Sequence, residues 1–161
     1  MNAGDDLYER LRANIGKTFE FTAPDELGRP AIRQFALALG DFNPVYTDRA
    51  AAEAAGLPDV MAPPTFVCET MQYLADAINE RGDFSALDGV REPGGLRAGN
   101  DYEFIRPVHP DDVITARWEL KDVYRKDTRS GSLVFTITEI TYRNQRGEIL
   151  AVNREHMFHR V

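Results

Sequence analysis

Residues 132–142 read SLVFTITEITY, a run of β-branched and aromatic side chains with no Gly or Pro to interrupt it. Such residues suit a pleated, half-buried strand. Just upstream, Ile114, Ala116, Trp118 and Leu120 alternate within residues 113–124 and share one strand face. Downstream, NQRG at 144–147 reads as a tight turn, and residues 148–159 return as a last strand. Residues 100–106 form another strand, stopped by Pro107, with HPDD at 109–112 as the turn that follows. KTFEFT at 17–22 alternates as well and adds a short strand near the N-terminus. Consecutive strands joined by short turns predict an antiparallel meander.

A meander with one apolar face has to cover that face, and the first half of the chain supplies helices. Residues 5–14 place Leu7, Leu11 and Tyr8 on one side of a short helix. Residues 31–39, AIRQFALAL, place Ile32, Phe35, Ala36 and Leu39 at i, i+3, i+4 and i+7, and Gly40 is the stop. Asp48 caps a short alanine-rich helix closed by Gly56. After the prolines of LPDVMAPPTF, Val67, Met71, Leu74 and Ile78 recur at helical spacing, so residues 65–80 form the longest helix, with the broadest apolar face. Residues 82–97 read as a loop. The predicted class is α+β, with a curved antiparallel sheet wrapped around one long central helix, and residues 1–161 make a single domain.

Composition narrows the function. The 43% hydrophobic and 28% charged content of the 161 residues is that of a globular chain, not a disordered one. A net charge of −7 argues against general affinity for nucleic acid. No apolar run is long enough to span a membrane, and the polar, acidic N-terminus lacks the layout of a signal peptide. A cytoplasmic protein is the expectation. The one cysteine, Cys68, excludes an intrachain disulfide and reads as a buried thiol. No histidine, cysteine or carboxylate grouping has metal-site spacing: His156 and His159 face opposite ways on one strand, and His109 lies in a Pro-bounded turn exposed to solvent. Glu69 and Glu139 read as solvated or edge residues.

The run IRQFALALGDFNPVYTD, followed by AAAEAAG and then VMAPPTF, resembles the MaoC-like hydratase/dehydratase family, within it the FAS1-like dehydratase branch (the MaoC N-terminal domain type). The later segment AGNDYEFIRPVHPDDVITARWELKDVY is similar to the same branch, so the likeness runs over roughly residues 10–160. The family's loop reads approximately G-D-x-N-P-x-H-x-D. Gly40, Asp41, Asn43, Pro44 and Asp48 match it, Tyr46 stands at the histidine position, and Pro63-Pro64 replaces the H-G element that opens the central helix. The resemblance implies a hotdog fold, a 2-enoyl-thioester hydratase or 3-hydroxyacyl dehydratase reaction, and no cofactor beyond the coenzyme A or acyl-carrier thioester that is the substrate.

Water addition to an enoyl thioester needs a base for water, an acid for the α-carbon and donors for the enolate-like oxygen. The resemblance assigns Asp41 to the acid–base pair; its local alternative is an Asx-turn carboxylate after Gly40. A phenol titrates at about 10 and is a poor base near neutrality, so Tyr46 is either a hydrogen-bond donor or a packing residue. Pro64 has no N–H to offer a thioester oxygen, which leaves the Thr65 N–H for that role. Asn43, Pro64 and Phe66 are the expected substrate-binding residues of this segment. Asn43 also bonds its own backbone before Pro44, and Asp48 caps. Arg125, Lys126 and Arg129 in YRKDTRSG are the candidate contacts for carrier phosphates, with a solvated hairpin tip as the alternative.

These departures imply a chain that holds the acyl group while a partner supplies the histidine. Such division occurs in dehydratases of fatty-acid elongation and sterol side-chain breakdown. A homodimer, or a heterodimer with a MaoC-type hotdog subunit, is expected through an open sheet edge. A self-sufficient thioesterase using Asp41 and a non-catalytic acyl-thioester-binding module remain the alternatives.

Overall fold

The computed structural model describes residues 3–69, 89–90, 92–129 and 131–161. Its elements in chain order are α1 (Ala3–Arg12), β1 (Thr18–Thr22), α2 (Arg29–Leu39), a 3₁₀ turn (Pro44–Tyr46), α3 (Arg49–Ala54), α4 (Phe66–Glu69), β2 (Leu96–Phe104), β3 (Thr115–Thr128), β4 (Gly131–Arg143) and β5 (Ile149–Arg160). The five strands form one antiparallel sheet in the order β1-β3-β4-β5-β2. The meander of β3, β4 and β5 is its centre, as the alternation predicts. The long helix predicted over residues 65–80 is described only as α4, and its remainder lies outside the described residues.

One face of the sheet is buried. Ala116, Trp118 and Leu120 of β3, Val134, Ile140 and Tyr142 of β4, and Ala151 of β5 pack with Phe66, Val67 and Cys68 of α4 and Ile32 and Ala36 of α2. A shift in register between Leu120 and Asp122 inserts Lys121, so that Val123 rather than Asp122 resumes the inward row. A second shift between Arg97 and Gly99 inserts Ala98 into β2. Simple alternation from Asn100 would turn Arg97 outward. The bulge instead sets Arg97 opposite the buried Met157, on the inner face.

Three expectations need correction. The strand expected to open at residue 100 opens at Leu96, because backbone pairing to β5 runs through the glycine-rich stretch and its bulge. Leu39, placed on the buried face of α2, is 56% exposed, since the last turn of α2 runs beyond the surface that covers Ile32 and Ala36. His109 is half-buried, and its Nδ1 lies 3.2 Å from the carbonyl of Val60, which draws it out of solvent.

The turn at 108–112 is a junction. Its carbonyls accept from Ala62, Gly28 and Leu27 through Val108, Pro110 and Asp112 respectively. Asp112 has no exposure at all. Its carboxylate accepts from the His109 N–H at 2.8 Å, the Asn144 side-chain amide at 3.1 Å and Arg146 at 2.6 Å, and so binds the HPDD turn to the NQRG turn.

Candidate functional site

The loop between α2 and α3 closes on itself. Gly40 at φ 70° takes the left-handed conformation that ends α2, and its N–H reaches back to the carbonyl of Leu37. The Asp41 carboxylate accepts from the Asn43 N–H at 3.1 Å, forming an Asx turn on the exposed surface. The Asn43 side chain accepts from the Val45 N–H at 3.2 Å and caps the 3₁₀ turn. Asp48 accepts from Ala50 and Ala51 at the start of α3, as a cap should. Tyr46 is 9% exposed and belongs to the core. Burial, and after it the nearby Asp41 charge, raises the phenol above its ordinary value. It is a neutral hydroxyl at any physiological pH, with no capacity to act as a base.

The Met61 N–H donates to the Val45 carbonyl and so joins this loop to the stretch that walls an open apolar groove of about 170 Å³. Met61, Pro64, Phe104, Ile105, Arg106 and Ala151 line it. Of the residues expected to bind substrate, Pro64 alone is in this wall. Thr65 follows it, at the entry to α4, and the Thr65 carbonyl accepts from Cys68 and Glu69 as that helix begins. Phe66 is withdrawn to 1% exposure, edge-on to Phe35 with ring centroids 5.1 Å apart, and does not line the groove.

The basic hairpin is elsewhere. Arg125 pairs with Val134, whereas Tyr142, farther along β4, pairs with the groove residue Ala151. Eight residues of strand separate them, about 26 Å. Arg125 is bound to Asp5 at 2.5 Å, to Asp127 at 3.3 Å and to the Ser132 hydroxyl at 2.9 Å. Lys126 and Arg129 are exposed at the tip.

One cluster escaped the sequence. Arg97, brought inward by the bulge, donates to Glu69 at 3.0 Å and to the nearly fully buried Glu155 at 3.0 Å. The Tyr102 hydroxyl donates to Glu69, and the Asn100 side-chain amide donates to Tyr102 at 2.8 Å. Burial alone would raise the Glu69 carboxyl, but the Tyr102 hydroxyl and the Arg97 guanidinium outweigh it and hold the group below its ordinary value. Burial, then the Glu69 carboxylate, pushes Tyr102 up to about 12. Glu69 is exposed, as expected, but it is also an engaged anion, while Tyr102 stays a neutral phenol, and the pair is unfit to pass a proton near neutrality. Tyr102 pairs with Asn153, and Phe104 with Ala151, so the cluster continues the inner row directly beneath the groove. The sequence signal was an odd density of polar residues in AGNDY and VNREH, which reads as surface until the pairing is known.

Among the described residues no group of His, Cys, Asp and Glu is arranged to hold a metal ion, and no helix is long and apolar enough to cross a membrane. His156 and His159 do face opposite sides, the latter buried. Cys68 is buried, and that burial, with the Glu69 charge adding to it and a hydrogen bond to Tyr142 opposing, pushes its thiol up to about 12. It is not a nucleophile near neutrality.

The family model of the FAS1-like dehydratase domain region matches residues 13–153. The chain is 34% identical over 163 residues to a probable enoyl-CoA hydratase alpha subunit of Thermomonospora curvata; the match covers 94% of this chain but 51% of that protein, so the chain spans about half its relative's length. Among solved structures, the ChsH1–ChsH2 complex of Mycobacterium tuberculosis is similar with a TM-score of 0.70 at 24% identity, over 97% of this chain and 92% of the other. The C-terminally truncated HadBC complex of the same organism, a (3R)-hydroxyacyl-ACP dehydratase, gives 0.68 at 22% identity, over 88% and 96%. The sheet described above is the curved sheet of that hotdog fold.

Proposed function

This chain belongs to the FAS1-like dehydratase family, and from that footing we propose that it is the acyl-thioester-binding subunit of a 2-enoyl-thioester hydratase, equivalently a 3-hydroxyacyl dehydratase, on coenzyme A or a carrier protein. A MaoC-type partner subunit supplies the catalytic histidine. One observation carries the reading: the residue at the histidine position is a core phenol with a raised pKa, while an apolar groove opens beside the same loop.

Hydration asks for a group that takes a proton from water and returns one to carbon. Asp41 retains a carboxylate, but it is exposed, and one oxygen serves the Asn43 N–H. Without an imidazole opposite, it lacks a second group to pass the proton to. On this reading Pro64, in the groove wall, holds the acyl group, and the N–H of Thr65, next in the chain, is the donor toward the thioester oxygen. Asn43 holds the loop that carries Tyr46 and borders the groove stretch. The ChsH1–ChsH2 and HadBC complexes, each of two unlike chains by name, support the pairing with a different subunit.

The test is hydration of crotonyl-CoA by the purified chain, alone and mixed with a histidine-bearing MaoC-type partner. The mixture is expected to exceed the lone chain by a factor of about 100 or more, the usual worth of a positioned acid–base group. Equal rates with and without partner, unchanged in Tyr46→Phe, would overturn the division of labour. Release of free thiol by the lone chain, abolished in Asp41→Asn, would select thioester hydrolysis instead.

A further inference from the structure

Every described residue that lines the groove is apolar or uncharged except Arg106. The backbone of Arg106 is fixed, because the N–H groups of Ile105 and Arg106 both donate to the Leu150 carbonyl, at 2.9 and 3.1 Å. Its side chain is 57% exposed, and the carboxylate it faces, Glu148, lies 4.0 Å away. Glu148 presents Oε1 to Arg106 and shares its charge with other donors, its Oε2 accepting from the Asn144 amide at 2.8 Å and from Arg146 at 3.1 Å. Arg106 is thus a fixed-root cation over an apolar opening, between the half-exposed side chain of Ile105 and Pro107. Of the hairpin cations expected to meet phosphate, Arg125 has Asp5, Asp127 and Ser132 around its guanidinium, and it is remote from the groove with Lys126 and Arg129 beside it.

A ligand that matches this pattern carries an apolar chain, a neutral spacer and an anion in that order. The chain fills the groove, and the anion meets the guanidinium at its lip, where planar N–H donors suit phosphate oxygens. Apolar walls lower the local dielectric and strengthen the attraction. We propose that Arg106 binds the phosphate of a phosphopantetheine-type acyl carrier, a role that rests on the acyl-thioester reading above and replaces the Arg125–Arg129 hairpin as the phosphate contact.

Binding to the full chain distinguishes the possibilities, with three probes: octanoyl-CoA, octanoyl-4′-phosphopantetheine and octanoyl-pantetheine, which has no phosphate. Titration calorimetry of wild type, Arg106→Gln, Arg106→Lys and Arg125→Gln gives the dissociation constants. Arg106→Gln is expected to weaken the two phosphate-bearing probes about tenfold, the scale of one charged hydrogen bond, and to leave octanoyl-pantetheine unchanged. Arg106→Lys recovers part of the loss. A loss shared by both phosphate-bearing probes assigns the contact to the phosphate common to coenzyme A and carrier proteins; a loss confined to octanoyl-CoA assigns it to the nucleotide end. The proposal is overturned if Arg106→Gln binds all three as wild type does, if it weakens octanoyl-pantetheine equally, or if Arg125→Gln produces the loss instead. Failure of the wild type to bind any of the three overturns the acyl-thioester reading, and this assignment with it.

Discussion

Two polar regions of this chain were built in opposite ways. In the loop from Gly40 to Asp48 three polar side chains find their partners within three residues: Asp41 takes the N–H of Asn43, Asn43 that of Val45, and Asp48 those of Ala50 and Ala51. On the inner face of β2 and β5, Arg97 joins Glu69, 28 positions before it, to Glu155, 58 positions after it. The first region is a local solution to the backbone's needs, and any one of its members acts nearly alone. The second exists only once the sheet has closed, and its members act together. A loop of the first kind holds its shape through its own short-range bonds.

The largest effect expected from breaking this contrast is in the loop's one nonlocal member. Tyr46→Ala, emptying a core position, should cost about 3 kcal/mol in urea unfolding, while Tyr46→Phe stays within about 0.5 kcal/mol. Next is Arg97→Met, expected to cost about 2 kcal/mol because a guanidinium leaves the nearly fully buried Glu155; the 40% exposure of Arg97 moderates the loss. A double-mutant cycle between Arg97→Met and Glu69→Gln should show coupling of about 1 kcal/mol, whereas Asp41→Asn and Asp48→Ala should add. The pH response belongs to the same test. Glu69 is held below its ordinary value in the folded chain, so its stabilisation is complete above the unfolded carboxyl range and is lost as pH falls through the folded value. Arg97→Met should flatten that acid-side slope in thermal melts. Asp48→Ala, the loss of one cap, should cost about 1 kcal/mol. Asp41→Asn comes last, within about 0.5 kcal/mol, since an asparagine makes the same turn. A larger loss there would mean that Asp41 has a partner beyond its loop.

The same contrast explains what could be read in advance. The stop at Gly40, the caps at Asn43 and Asp48 and the inward row Ile114, Ala116, Trp118, Leu120 are legible because each rests on spacing within a few residues. The bulges at Lys121 and Ala98 are not. Lys121 and Ala98 look like any other strand residue, yet each reverses which side chains face the core from that point on. Arg97 could not be assigned inward without knowing that Ala98 is the extra residue. The groove is equally nonlocal, assembled from residues near 61–64, 104–108 and 150–151. Arg106 in it looked no different from the arginines of the hairpin, and only the location of neighbouring carboxylates separates them.

Asp112 has a further consequence. By gripping Asn144, Arg146 and the His109 amide while the carbonyls of the same turn hold Leu27, Gly28 and Ala62, it sets the rim around Pro107 and Val108 as rigid masonry and not as a hinged flap. On the acyl-thioester reading proposed above, a guest arriving at this doorway would be sized by a frame already tied in place.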